Sequence, residues 1–359
     1  MTYKETLFFV AKCLTINHEE HNKRIVEEML QSNTVDWDEV VKLSTAHFVF
    51  PALYCNLKKA SFLSYLPDDL VEYMKYITEL NRERNEKIIA QAEELNTLLL
   101  EHNITPIFIK GTGNLLEGLY EDIAERMVGD IDFLFSKEDY PRAIELLTSN
   151  DYFINSKTGP IFPGNKHYPR LININKFAAI EIHNELLTKQ YSREFNYDFI
   201  INSYLNFDKI KVLSYENQFL LTIAAYQIND FGFTDKNLLL RNAYDVFLLS
   251  KKNITKNVFK KLNILKYPLH CYLACCYEVF NKPETLSYNS TKKIKKYLIL
   301  FYKYLDNQWL LKQNILKRKK EKKKRITYNK LTTIYKSFYL CEYRIYLIKK
   351  LKQKFFKKI

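Results

Sequence analysis

The sequence predicts an α+β protein: a small mixed sheet with flanking helices, set between helical N- and C-terminal regions. Three observations carry this. Apolar residues recur at three- and four-residue spacing through the first hundred positions. Short apolar runs bounded by Pro, Gly and Asn then take over between residues 104 and 187. The helical period returns from Asn217 onward.

In the first region, TLFFVAKCL, IVEEML and the long stretch from Leu70 to Leu100 all read as amphipathic helices. Asp36 to Leu57 opens with an acidic first turn and is interrupted by Pro51, and LPDDL at 66–70 looks like a further helix start. After Ile104, PIFIK and IDFLF read as strands, and KEDYPRAIELLTSN as a helix. RLINI and AAIEIHNEL flank Asn175 and Lys176, the pattern of strand, tight turn, strand, which makes four or five strands in all. ENQFLLTIAAYQI and RNAYDVFLLSKK resume the helices. The expected divisions are 1–102 (helical), 103–210 (α/β core), 211–311 (helical) and 312–359 (basic and aromatic).

An apolar content of 47% with 27% charged residues is that of a globular chain. The net charge of +14 belongs to one segment, since residues 312–359 hold 18 Lys and Arg against two acids. Within it KRKKEKKKR should be solvated, as exposed helix or as disordered chain. The six cysteines form no CxxC pair and read as reduced, mostly buried thiols; near His270, Cys271, Cys275 and Cys276 fit core packing of a Tyr- and Leu-rich helix better than a metal cluster. The N-terminus lacks a basic leader and a cleavage site, and YLILFYKYL is too short to span a bilayer. A cytoplasmic protein without a transmembrane segment is expected.

Four of the seven glycines fall between residues 107 and 135, beside Asp130 and Asp132. Alternation along a strand puts both carboxylates of GDIDFLF on one face and Ile131, Phe133 and Phe135 on the other. Adjacent carboxylates repel, and a hard divalent cation, most naturally Mg²⁺, relieves the repulsion; a solvated surface pair is the alternative. Lys110-Gly111-Thr112-Gly113 lies where a strand runs into a helix, a junction suited to phosphate, or one needing a tight turn. It matches neither GxxxxGK[ST] nor GxGxxG. In AAIEIHNEL, Glu181 shares a strand face with His183, and an acid inside an apolar strand calls for a partner or a metal. His183 suits a structural hydrogen bond as well as an accessory catalytic role.

Taken together, the strand, Gly-Thr loop, helix, Asp-x-Asp strand and later acidic strand resemble the nucleotidyltransferase superfamily with the DNA polymerase β type of fold. ITPIFIKGTGNLLEGLY, ERMVGDIDFLF, AIEIHNEL, VDWDEVVKLSTAHFVFPALYCNL and RNAYDVFLLSKK are similar to an uncharacterised bacterial nucleotidyltransferase branch, over roughly residues 35–250. Thr112 replaces the Gly or Ser commoner in the wider superfamily, and 17 residues separate it from Asp130, a spacing that fits the narrower branch, as does Arg126. Histidines common in the branch's following helix are absent here, where YQIND stands.

The resemblance implies transfer of a nucleoside monophosphate from an NTP to an acceptor, with pyrophosphate released. Gly111, Thr112 and Gly113 would lie under the phosphates; Asp130, Asp132 and Glu181 would hold one or two Mg²⁺ or Mn²⁺ ions, and Glu181 could instead take the acceptor's proton. Lys110 and Arg126 are counter-charges for phosphate or partners of carboxylates. The acceptor, a small molecule, a protein or an RNA, is not specified. Competing readings are a protein that binds nucleic acid or an anionic membrane surface through residues 312–359, and a nucleotide-binding relative without catalysis.

Overall fold

The computed structural model describes residues 1–154, 166–188, 190–207, 209–252 and 256–356; side chains at 256–258, 322–329 and 352–356 fall outside that description. Of the basic C-terminal block, the Lys322–Arg325 side chains and Lys357–Ile359 therefore lie outside the described residues.

The N-terminal region is helical: α1 (Tyr3–Cys13), α2 (Glu20–Gln31), α3 (Trp37–Ala46), α4 (Phe50–Lys59) and α5 (Asp68–Glu101). Thr2 caps α1 in a reciprocal box with Glu5, and Asp36 caps α3. The break expected at Pro51 falls earlier, where Phe48 adopts φ 56°; Pro51 instead occupies the first turn of α4, where its missing N–H costs nothing. The 34-residue α5 buries Met74, Ile88, Ala92, Leu95 and Leu99 along one side, together with Asn81, Asn85 and Gln91.

The core follows: β1 (Ile107–Phe108), α6 (Lys110–Leu116), β2 (Asp130–Leu134), α7 (Asp139–Ser149), β3 (Phe153–Ile154), β4 (Leu171–Ile172), β5 (Ala179–His183), α8 (Tyr197–Ile200), β6 (Tyr204–Phe207) and β7 (Ile210–Leu213). The strands form one mixed sheet in the order β3-β4-β5-β2-β1-β7-β6. The hairpin around Asn175 is present as β4 and β5, with Lys176 N–H bonded to Asn173 O. The pair β6–β7 adds two strands beyond those expected, and β7 runs across the division drawn at residue 210.

The central strands bury Phe108, Ile131, Phe133, Ile180 and Ile182 completely. Each such side chain removed from water stabilises the fold by about 1.5–3 kcal/mol. The remaining helices are α9 (Tyr215–Ala224), a π-helical turn at Ala225–Asn229, α10 (Gly232–Asp235), α11 (Leu240–Ser250), α12 (Lys266–Val279), α13 (Lys292–Asp306), α14 (Gln308–Ser337) and α15 (Cys341–Phe356). Cys271, Cys275 and Cys276 are buried in α12 as core residues. Among the described residues no helix is long and apolar enough to cross a membrane.

Candidate active site

Parallel pairing of β2 with β5 sets Asp130 opposite Ala179, Asp132 opposite Glu181 and Leu134 opposite His183. Strand alternation turns Asp130, Asp132, Glu181 and His183 to one face. Among the described residues, Asp132, Glu181 and His183 bring ligand atoms within 4.8 Å of one another. His183 Nε2 lies 2.8 Å from Asp132 Oδ1 and 3.6 Å from Glu181 Oε2. His183, expected as an accessory, thus stands in the donor set, while the Asp130 carboxylate turns aside to Arg170, 2.5 Å from its Nη2.

Two cations face these acids. Lys110 Nζ lies 2.5 Å from Asp132 Oδ1 and 3.8 Å from Glu181 Oε2. Arg170 bridges Asp130 and Glu181, donating to Glu181 Oε1 at 2.8 Å. It reaches there because Leu171, the next residue, pairs with Ile180 across β4 and β5. Burial and repulsion from Asp132 and Glu181 push the Asp130 carboxyl up to about 6, with Arg170 and Lys110 only partly offsetting them. Burial also acts on Asp132 and Glu181, but Lys110 and His183, joined at Glu181 by Arg170, outweigh it and hold both below the usual carboxylate range.

The Lys-Gly-Thr-Gly junction is built differently from a glycine-permitted turn. Lys110, not either glycine, takes the left-handed conformation, with φ 56°. That costs a residue with a Cβ about 1 kcal/mol or more. Gly113 is required by packing: a Cβ there would stand 2.9 Å from Phe108 O. The buried Thr112 donates its hydroxyl to Asp130 O at 2.9 Å, tying α6 to β2.

Arg126 is buried against Asp245 of α11, with Nε 3.0 and 3.1 Å from the two carboxylate oxygens and Nη1 donating to Met127 O. Tyr120 adds a hydroxyl to Asp245 at 2.7 Å. Of the two roles open to Arg126, the geometry shows the carboxylate pairing. From the other side α5 holds the same loop: Asn81 and Asn85 donate to the carbonyls of Ala124, Ile123 and Arg126, and Arg84 to that of Val128. These donors serve carbonyls that the sheet leaves unpaired.

A cavity of about 190 Å³ opens here, its lining including Asp130, Asp132 and Lys110 together with Lys166, Asp230 and Arg241. The second group and Arg170 were not anticipated from sequence. Asp230 follows the π-helical turn, where YQIND stands, and π-turns concentrate at functional sites. Arg241 and Asp245 are four apart in RNAYDVFLLSKK, a spacing that places both on one helix face.

A family model described as uncharacterised nucleotidyltransferase matches residues 33–281, spanning α5, the whole sheet and α11. No curated protein and no solved structure matches the chain. With the match covering well over half of its length and enclosing the acid cluster on β2 and β5, the chain belongs to this nucleotidyltransferase family.

Proposed function

We propose that the chain transfers a nucleoside monophosphate from an NTP to an acceptor nucleophile, with Mg²⁺ or Mn²⁺ as cofactor. The observation that carries this reading is the opposition of Asp132 and Glu181 in the β2–β5 register, with His183 Nε2 between them. Family membership supports the reaction class.

A hard divalent ion suits this donor set of carboxylate oxygens and one imidazole nitrogen. Asp132 and Glu181 would hold it with His183, and Asp130 would join once released from Arg170. Such an ion, when bound, neutralises charge on the phosphate oxygens and on the departing pyrophosphate. The acceptor's attacking oxygen or nitrogen forms the new bond to the α-phosphorus as the bond to the bridging oxygen breaks. If Glu181 does not hold the ion, it is the proposed group for the acceptor's proton. Lys110 holds Asp132 ionised and offers a cation to the phosphates, and Gly111, Thr112 and Gly113 fix where Lys110 stands.

The test is incubation with each α-labelled NTP and Mg²⁺, following label into the protein, RNA or a small molecule. Absence of transfer with every NTP, for a folded protein, sinks the reading. A second reading concerns α14 and α15, which pair with one another and expose Leu331, Tyr335, Phe338 and Tyr339 beside lysines. This surface supports contact with nucleic acid or an anionic surface, checked by salt-dependent retention of the full chain and of a chain ending at residue 311.

A further inference from the structure

The cations of the cavity fall into two groups. Lys110 is matched to Asp132 and Arg126 to Asp245. Lys166 and Arg241 line the same cavity, and among the described residues no carboxylate lies within ion-pair distance of either. Arg241 sits in the first turn of α11 with its guanidinium 4.9 Å from the Phe48 ring centroid, and its buried Nε has no hydrogen-bond partner among the described residues. An orphaned guanidinium donor at a cavity wall is costly unless an anion completes it. Burial and the neighbouring Arg126 pull Arg241 down to about 10, with Asp245 and Asp230 offsetting part; burial and Lys110 pull Lys166 down, with Asp230, Glu181 and Asp132 offsetting part.

We infer that Arg241 and Lys166 form an anion subsite that seats the β- and γ-phosphates of the NTP, the part that leaves as pyrophosphate; this rests on the nucleotidyl-transfer reading. The guanidinium fork presents two parallel N–H donors to phosphate oxygens, and Lys166 adds a point charge. Both line the cavity that Asp130 and Asp132 also line, and Lys166 adjoins the end of β5, its carbonyl accepting from the N–H groups of Asn184 and Glu185. A triphosphate in this cavity would set its α-phosphorus at Asp130 and Asp132 and its tail at Arg241 and Lys166.

Calorimetric titration of the full chain with inorganic tripolyphosphate tests the subsite without requiring turnover. Binding is expected in the unaltered chain, weakened at least tenfold by Arg241→Gln, weakened less by Lys166→Gln, and intermediate in Arg241→Lys, which keeps the charge and loses the fork. Circular dichroism and thermal melting identify any variant that fails to fold. Failure of tripolyphosphate to bind, or equal binding by folded Arg241→Gln and Lys166→Gln, overturns the subsite. So does an unchanged KM for NTP in Arg241→Gln, which would leave nucleotidyl transfer standing. Binding that depends on Arg241 in a chain that moves no α-label supports the subsite and overturns transfer.

Discussion

Lys110 Nζ stands 2.5 Å from Asp132 Oδ1 and 3.3 Å from His183 Nε2, at the point where the proposed metal donors converge. The chain thus supplies its own cation to the carboxylates. A divalent ion entering this cluster must share or displace that ammonium. Lys110→Met is therefore expected to tighten Mn²⁺ binding at least about tenfold while lowering transfer, because a like charge at this range opposes the ion by more than 1.4 kcal/mol. Mn²⁺ titration followed by electron paramagnetic resonance checks this, and unchanged affinity would remove Lys110 as a competitor.

Asp132→Asn and Asp130→Asn are each expected to reduce transfer by at least about 10²-fold, the scale of losing one electrostatic contact to a transition state. Melting temperatures should change little for Asp130, which is partly open to the cavity. Retained transfer in both variants contradicts the proposed mechanism.

Asp245→Ala is expected to destabilise the fold by about 3–5 kcal/mol, because it leaves the buried Arg126 guanidinium without its counter-charge. Urea denaturation reads this directly. A loss below about 1 kcal/mol would show that the pair is not a structural tie.

Gly113→Ala should also destabilise, by about 1–3 kcal/mol, although alanine is the better helix former. The added methyl would meet Phe108 O at 2.9 Å and push α6 off β1. Thermal melting of Gly113→Ala against Gly111→Ala, where the nearest contact is a Val128 methyl at 3.2 Å, separates the two positions.

Glu117 provides a pH test remote from the acids of β2 and β5. Burial pushes its carboxyl up to about 8, with the Gln218 hydrogen bond and Lys252 offsetting only part. A carboxyl raised in the folded state binds its proton more tightly folded than unfolded. Its contribution is complete below about pH 4.5 and is lost as pH rises through about 8. Glu117→Gln should flatten the fall in stability across that window, as read by chemical denaturation at pH 5 and pH 9. An unchanged slope would locate the titration elsewhere.

The two acid-bearing strands were legible because most of their polar and apolar positions alternate. In GDIDFLF and AAIEIHNEL, Ile131, Phe133, Phe135, Ile180 and Ile182 fall on one face, which leaves Asp130 with Asp132 and Glu181 with His183 on the other, beside Leu134 and Ala179. What alternation cannot supply is the neighbour across the sheet. Arg170 reaches Glu181 only through the β4–β5 pairing, and Asp245 reaches Arg126 over 119 residues of chain. The glycines were harder still. Their concentration suggested a loop with positive φ or close phosphate approach, whereas Lys110 carries the left-handed backbone and Gly113 answers to the Phe108 carbonyl. Composition records that a small residue is needed and not what crowds it.

The loop from Ile123 to Val128 is gripped from two sides, by the asparagines and Arg84 of α5 and by Asp245 of α11. The sheet that carries the acids is therefore not a transplantable module. A chain trimmed to residues 103–210 loses both grips at once, and with them the support for the approach to β2. The matched span, 33–281, contains α5 and α11 together. A unit that keeps both grips on this loop runs at least from α5 to the end of α11, residues 68–250, well beyond the division drawn from sequence.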